Sequence, residues 1–333
     1  MSVDLATTVV IDAGGRYGMH PSWQAFGGDL HYFAFEPDAA EAERLQGQSR
    51  EGFEVVPRAL GRRPEERDLR LTRHRGCSSF LEVDPESDWF GRYRPGEGQL
   101  ETTVRVAVES VDGFAAARGL RADFLKVDTE GTELDVLEGA ERQLADHVMA
   151  VRVNVNFQPA YKGQALFCDV HGYLEARGFF LLNLDYFGRG IPCYGLVRNP
   201  DPLSPDAERY GVLVATDGVW IKRHRQVRES CGGDAATEAY WTMKYAYFCL
   251  LNHAPDLAFE TLTRFVGERP GAFGVDIAES GLYRALRRAC ATFLGRWRVY
   301  PDAQWDLARS TFRQVFELEL EAGSKYWELI QRL

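Results

Sequence analysis

The chain has 333 residues, 45% hydrophobic and 26% charged, enough for a sizeable core and, at roughly 150 residues per domain, for two domains. Its 39 basic and 49 acidic side chains leave a net charge of −10. That balance argues against sequence-independent nucleic-acid binding and against anionic membrane surfaces, both of which need clustered Lys and Arg.

The opening run MSVDLATTVVID has neither a basic segment nor a long apolar one, and no apolar stretch approaches the ~20 residues that span a bilayer. A soluble, cytoplasmic protein without a secretory signal is expected. The six cysteines lie far apart with no CxxC, so reduced thiols are expected rather than a disulfide framework or a zinc site. No metal-ligand set is complete in the sequence, and none is assigned.

In chain order, strand-like and helix-like segments alternate. Apolar runs predict strands at Thr8–Ile11, His31–Phe35, Phe53–Val56, Phe124–Val127, Met149–Val155 and Phe179–Leu184. Helical spacing predicts helices at Ala39–Gln48, Thr132–Leu144 and about Phe167–Arg177. This rhythm predicts a mostly parallel α/β sheet with helices on both faces. Gly211–Lys222 has no helix after it and is expected to close the sheet antiparallel. Segment 57–110 breaks the rhythm. It reads as an inserted hairpin, with strands at Asp68–Thr72 and Thr103–Val108 and a mobile loop around Asp84–Gly98.

From about residue 227 the pattern is helical. Helices are expected at Ala239–Leu251 and Asp256–Phe265. Apolar stripes follow at Ile277, Leu282, Leu286, Ala289 and Phe293, and at Trp305, Phe312, Phe316 and Leu320. The expected domains are residues 1–226 and an all-α C-terminal domain, 227–333, for acceptor recognition or oligomerisation. Tyr240, Trp241, Tyr245, Tyr247 and Phe248 are expected in its core or at a dimer interface. A homodimer through these helices is one expected partner arrangement.

Three features carry chemistry. The first is Val9-Val-Ile-Asp12-Ala-Gly14-Gly15-Arg-Tyr-Gly18, where a strand ends in an acid and then glycines. Glycine turns sharply and lets a ligand lie close to the backbone. The second is Glu36-Pro37 at the tip of the second strand, where a carboxylate can accept both hydroxyls of a ribose. The pair points to a ribonucleoside cofactor. The spacing misses G-x-G-x-x-G, and Asp12 would repel a diphosphate but suit a cation such as S-adenosylmethionine. The third is Asp128-Thr-Glu130-Gly131-Thr132-Glu133 after the strand Phe124–Val127. Thr132 and Asp135 fit a capping box, while Asp128 and Glu130 precede the helix, at the ligand edge. Either acid could orient a hydroxyl or take its proton. His20, just after the glycine turn, is a further catalytic candidate. Tyr161 and Lys162 could contact a substrate.

On these residues the alternatives are a methyltransferase, a nicotinamide-dependent oxidoreductase or epimerase, and a non-catalytic binding or scaffold protein.

The run FLKVDTEGTELDVLEGAERQL resembles the signature of the FkbM family of S-adenosylmethionine-dependent methyltransferases. VVIDAGGRYG, FAFEPDA, VVPRALG and SVDGFAAARG resemble further motifs of that family, in order, over roughly residues 8–222. The resemblance implies a class I methyltransferase (Rossmann-like) fold with a seven-stranded mostly parallel sheet. It implies S-adenosylmethionine as cofactor and O-methylation of a hydroxyl on a sugar, glycan or natural product. By position, Asp12, Gly14, Gly15 and Gly18 would line the methionine end. Glu36 and Pro37 would hold the ribose, and Arg58 and Ala59 would lie near the adenine. The chain departs from the family at Gly15-Arg16 and at Asn154 and Asn156, where a glutamate is common. That leaves Asp128 and Glu130 as the better acid–base candidates.

Overall fold

A computed structural model describes residues 5–24, 26, 29–185, 194–195, 198–201, 204–210 and 212–294. The chain forms two compact units. One holds Val9–Met19 and His31–Arg223. The other holds the described residues within 5–8, 20–30 and 224–294. The second unit therefore draws in two N-terminal stretches that a boundary at residue 226 assigns to the first.

In the first unit, β1 (Thr8–Ala13), β2 (Leu30–Phe35) and β3 (Phe53–Val56) precede an insertion made of β4 (Ala59–Leu60), β5 (Glu65–Thr72) and β6 (Leu100–Glu109). Then follow β7 (Phe124–Val127), β8 (Ala150–Asn156), β9 (Phe179–Leu184), β10 (Tyr194–Gly195), the hairpin β11 (Arg198–Asp201) and β12 (Ser204–Tyr210), and β13 (Leu213–Lys222). The main sheet runs β3-β2-β1-β7-β8-β13, with β9 and β10 both on the far edge of β13, so eight strands occupy seven positions. Pairs β1–β7, β7–β8 and β2–β3 are parallel, and β13 is antiparallel to β8. A mostly parallel sheet with an antiparallel closing strand is the arrangement the pattern predicts.

Helices α2 (Ala39–Gln46), α3 (Val111–Arg118), α4 (Glu133–Glu138), α5 (Glu141–Asp146) and α6 (Phe167–Glu175) accompany the sheet. Alternation along β1 puts Val9, Ile11 and Ala13 into one apolar cluster, with Val136, Leu137 and Leu144 from α4 and α5. The single helix expected over Thr132–Leu144 is instead two. The Asp112 carboxylate accepts from the N–H groups of Arg142 and Gln143 (2.9 Å each), capping a second helix. At the break, a Cβ on Gly139 would lie 2.0 Å from the Gly61 carbonyl oxygen, so glycine permits that contact.

The insertion is a three-stranded sheet, with β5 antiparallel and β4 parallel to β6. The loop expected to be mobile contains a wide helical turn, Asp88–Tyr93, capped by the Ser87 hydroxyl, which accepts from the Phe90 N–H at 3.1 Å.

In the second unit, α1 (Pro21–Gln24) precedes α7 (His224–Glu229), α8 (Ala235–Leu251), α9 (Pro255–Glu268), α10 (Val275–Ala278) and α11 (Gly281–Leu294). Helix α8 buries Trp241, Tyr245, Tyr247 and Phe248. Tyr247 meets Phe26 at a centroid distance of 4.4 Å, and Lys244 Nζ donates to the Thr7 carbonyl at 2.7 Å. The stripe at Trp305, Phe312, Phe316 and Leu320, and any helical domain reaching residue 333, lie outside the described residues. Among the described residues no helix is long and apolar enough to cross a membrane.

Candidate active site

The ends of β1, β2 and β7 meet at one turn. Gly14 has φ +87°, and a Cβ there would lie 1.8 Å from the Asp128 carbonyl oxygen, so only glycine lets the turn close on β7. The N–H groups of Gly14 and Gly15 donate to the Phe35 carbonyl (3.2 and 2.9 Å), and the Asp128 N–H donates to the Ala13 carbonyl (2.8 Å). Glu36 and Asp128 are thereby held at the carboxyl edge of the sheet, where α/β folds bind ligands.

The parallel register sets Asp12 beside Lys126. The Asp12 carboxylate is fully buried and accepts from Lys126 Nζ at 2.9 Å and from the Tyr32 hydroxyl. Burial alone would depress the lysine pKa, but Asp12 and Asp128 outweigh it and hold the pKa above the ordinary value. The negative charge expected to face a cationic ligand is thus taken up inside the sheet.

Two cavities adjoin this edge. The first encloses about 690 Å³, its open mouth included. Glu36, Pro37 and Asp38 line it with Arg16, which pairs with Asp38 at 3.2 Å. Ala59, Leu69, Leu71 and Phe80 pack together as an apolar slot, and Gly14, Leu60, Asp128 and Glu130 also line the cavity. Glu36 is 4% exposed and accepts from the Asp38 N–H at 2.8 Å. Burial pushes its carboxyl up to about 7, although that hydrogen bond and Arg16 both favour the anion.

The second cavity, about 800 Å³ with its open mouth, shares Tyr17, Gly76, Asp128 and Glu130 with the first and adds the polar side chains of Asn154, Asn156 and Tyr161. Glu130 adopts φ +55°, a left-handed conformation that is uncommon outside glycine. Ser79 Oγ holds it by donating to its carbonyl (2.6 Å), and Tyr161 Oη donates to its carboxylate (2.7 Å). Burial, reinforced by Asp128, holds the Glu130 carboxyl well above the usual range. Burial likewise lifts Asp128 to about 6 against the pull of Lys126. Two acids that titrate high therefore line both cavities, one of them on strained backbone.

Among the sequence-predicted site residues, Gly14, Glu36, Pro37 and Ala59 line the first cavity, and Asp128 and Glu130 line both. Asp12, Gly15 and Gly18 do not line either. Gly15 is packed on Ala34, where a Cβ would meet another at 2.8 Å, and the Gly18 N–H closes the turn on the Gly15 carbonyl at 2.7 Å. Arg58 is exposed and pairs with Glu109 at 3.8 Å, outside the lining. His20 is exposed and groups with the second unit; neither lining includes it. Tyr161 lines the second cavity, while Lys162 points out to pair with Glu82.

The expected Thr132–Asp135 capping box does not form. The Glu133 carboxylate turns back to accept from the N–H groups of Thr129 and Gly131, and Asp135 pairs with Arg62 and Arg67. Burial raises Glu133 to about 7. Residues that motif reading missed come mainly from the insertion: Leu69, Leu71 and Phe80 in the apolar slot, and His74, Cys77 and Glu97 in the second cavity. The alternation of Leu69 and Leu71 was the available signal for the slot.

This strand order, with an antiparallel closing strand and a glycine turn beside a buried strand-two acid, defines a Rossmann-like fold of methyltransferase type. Residues 12–181, just over half of the chain, match the family model described as the methyltransferase FkbM domain. The chain belongs to the FkbM methyltransferase family. A solved structure, a methyltransferase FkbM from Methylobacillus flagellatus KT, is similar to it at 14% identity and a TM-score of 0.36, covering 65% of this chain. The aligned part is 44% of that protein's length. No curated protein matches the chain.

Proposed function

We propose that the chain is an S-adenosylmethionine-dependent O-methyltransferase acting on a hydroxyl of a sugar, glycan or natural product, in a cytoplasmic setting. The observation that carries this reading is that Asp128 and Glu130 line both cavities.

The first cavity suits the donor by its chemistry. The apolar slot of Leu69, Leu71 and Phe80 matches an adenine, and the Glu36 carboxylate matches the two hydroxyls of a ribose. Asp128 supplies negative charge toward the sulfonium end, a task the sequence had given to Asp12. Bound there, the donor supplies a methyl group already activated by positively charged sulfur. The chain must then position the acceptor and exclude water, which can supply on the order of 7–11 kcal/mol. The Glu130 carboxylate, oriented by Tyr161 Oη, takes the hydroxyl proton, and Asn154 and Asn156 offer amides to further hydroxyls of a polar acceptor.

Calorimetry with S-adenosylhomocysteine tests the donor site. Binding that weakens at least ~10-fold in Glu36→Ala is expected. No binding, or binding indifferent to that substitution, overturns the reading. A panel of hydroxylated sugars then tests the acceptor, with turnover lost in Glu130→Gln.

A further inference from the structure

We infer that His74, Cys77 and Glu97 form a zinc-class metal site whose open coordination position faces the second cavity. All three residues line that cavity. One ligand atom from each lies within 4.8 Å of the other two, and His74 Nδ1 is 3.6 Å from Cys77 Sγ.

The backbone assembles the set before any metal arrives. The Cys77 N–H donates to the His74 carbonyl at 2.8 Å, closing a single turn, and the His74 N–H donates to the Glu97 carbonyl at 3.0 Å. These bonds bring in an acid 20 residues further along the chain. Cys77 is buried against Phe90 and Tyr161, yet its sulfur faces an imidazole. Arg94 donates to the Glu97 carboxylate at 3.1 Å, a contact the metal would replace.

The donor chemistry selects the ion. A thiolate and an imidazole disfavour magnesium and calcium, which take oxygen ligands. Cys, His and carboxylate together are a zinc set. Ligand bonds of about 2.0–2.3 Å in a tetrahedron set ligand atoms about 3.3–3.6 Å apart, which His74 Nδ1 and Cys77 Sγ already meet, so only the Glu97 carboxylate has to close in, by up to about 1 Å. Three protein ligands with one position left open is the pattern of a catalytic rather than a structural zinc. The same cavity carries the amides of Asn154 and Asn156, so the fourth ligand is water or, if the proposed methyl transfer holds, an oxygen of the bound acceptor.

The test uses tag-free full-length protein, stripped with a chelator and titrated with Co²⁺. One Co²⁺ per chain is expected, with a thiolate-to-cobalt charge-transfer band that Cys77→Ser abolishes. Glu97→Gln keeps the buried thiol and should weaken zinc affinity, followed by calorimetry, at least ~10-fold. Failure of the wild type to take up Co²⁺ or Zn²⁺ at micromolar concentration overturns the inference. So does a charge-transfer band that persists in Cys77→Ser, or zinc affinity unchanged in Glu97→Gln. Circular dichroism reports folding of each variant, and S-adenosylhomocysteine binding is measured on the same samples. A cobalt band without S-adenosylhomocysteine binding would retain the metal site and reject the donor reading.

Discussion

Replacing Glu36 by glutamine should stabilise the unliganded protein in alkaline buffer while weakening donor binding. Burial raises this carboxyl from 4.5 to about 7. In the unfolded chain it titrates at its ordinary value. Between the two, the folded protein holds more protons than the unfolded one, so stability falls as pH rises. The contribution is fully present below about pH 4.5 and is lost as pH climbs through about 7, a loss of about 3 kcal/mol. Glutamine keeps the shape, can accept the Asp38 N–H through its amide oxygen, and never ionises. Asp128 and Glu133, raised to about 6 and about 7, slope the same way in both proteins and cancel in the difference. Urea unfolding should therefore give curves that converge toward about pH 4 and separate toward about pH 8, with Glu36→Gln more stable there by about 3 kcal/mol. A difference independent of pH, or a variant less stable at the alkaline end, would refute the reasoning.

Two further substitutions probe the frame of the site. Gly14→Ala meets both a positive φ and the Asp128 carbonyl, whereas a Cβ on Gly18 meets only Leu45 at 3.4 Å. Gly18→Ala should cost about 1–2 kcal/mol and Gly14→Ala clearly more, read by urea unfolding; equal losses would contradict the packing argument. Lys126→Met strands the buried Asp12 carboxylate and should cost about 3–5 kcal/mol, and adding Asp12→Asn should recover much of it. A single-variant cost below about 1 kcal/mol would show that the pair is not needed.

The main sheet was legible because its strands are short, apolar and punctuated. Phe53–Val56, Phe124–Val127 and Phe179–Leu184 fall where the runs place them. The glycine turn and Glu36 were legible for the same reason, since a fixed spacing after a strand fixes their edge of the sheet. The helix break at Gly139 was not. Local spacing favours one continuous helix, and the cap that divides it comes from Asp112, about 30 residues away in sequence.

What the sequence determined by itself is the α/β rhythm, the antiparallel close, the family motifs and the placing of acids at strand ends. These follow from local periodicity and from short-range backbone geometry. Which acid meets the cavity was decided only in three dimensions. Register put Asp12 against Lys126 and buried it, leaving Asp128 and Glu130 to line both cavities. The insertion brought Glu97 to the His74–Cys77 turn through a backbone hydrogen bond that no spacing along the chain encodes. The acidity of the chain as a whole therefore says little about the site. Each carboxylate's role depends on its neighbours, and those are set by which strands pair.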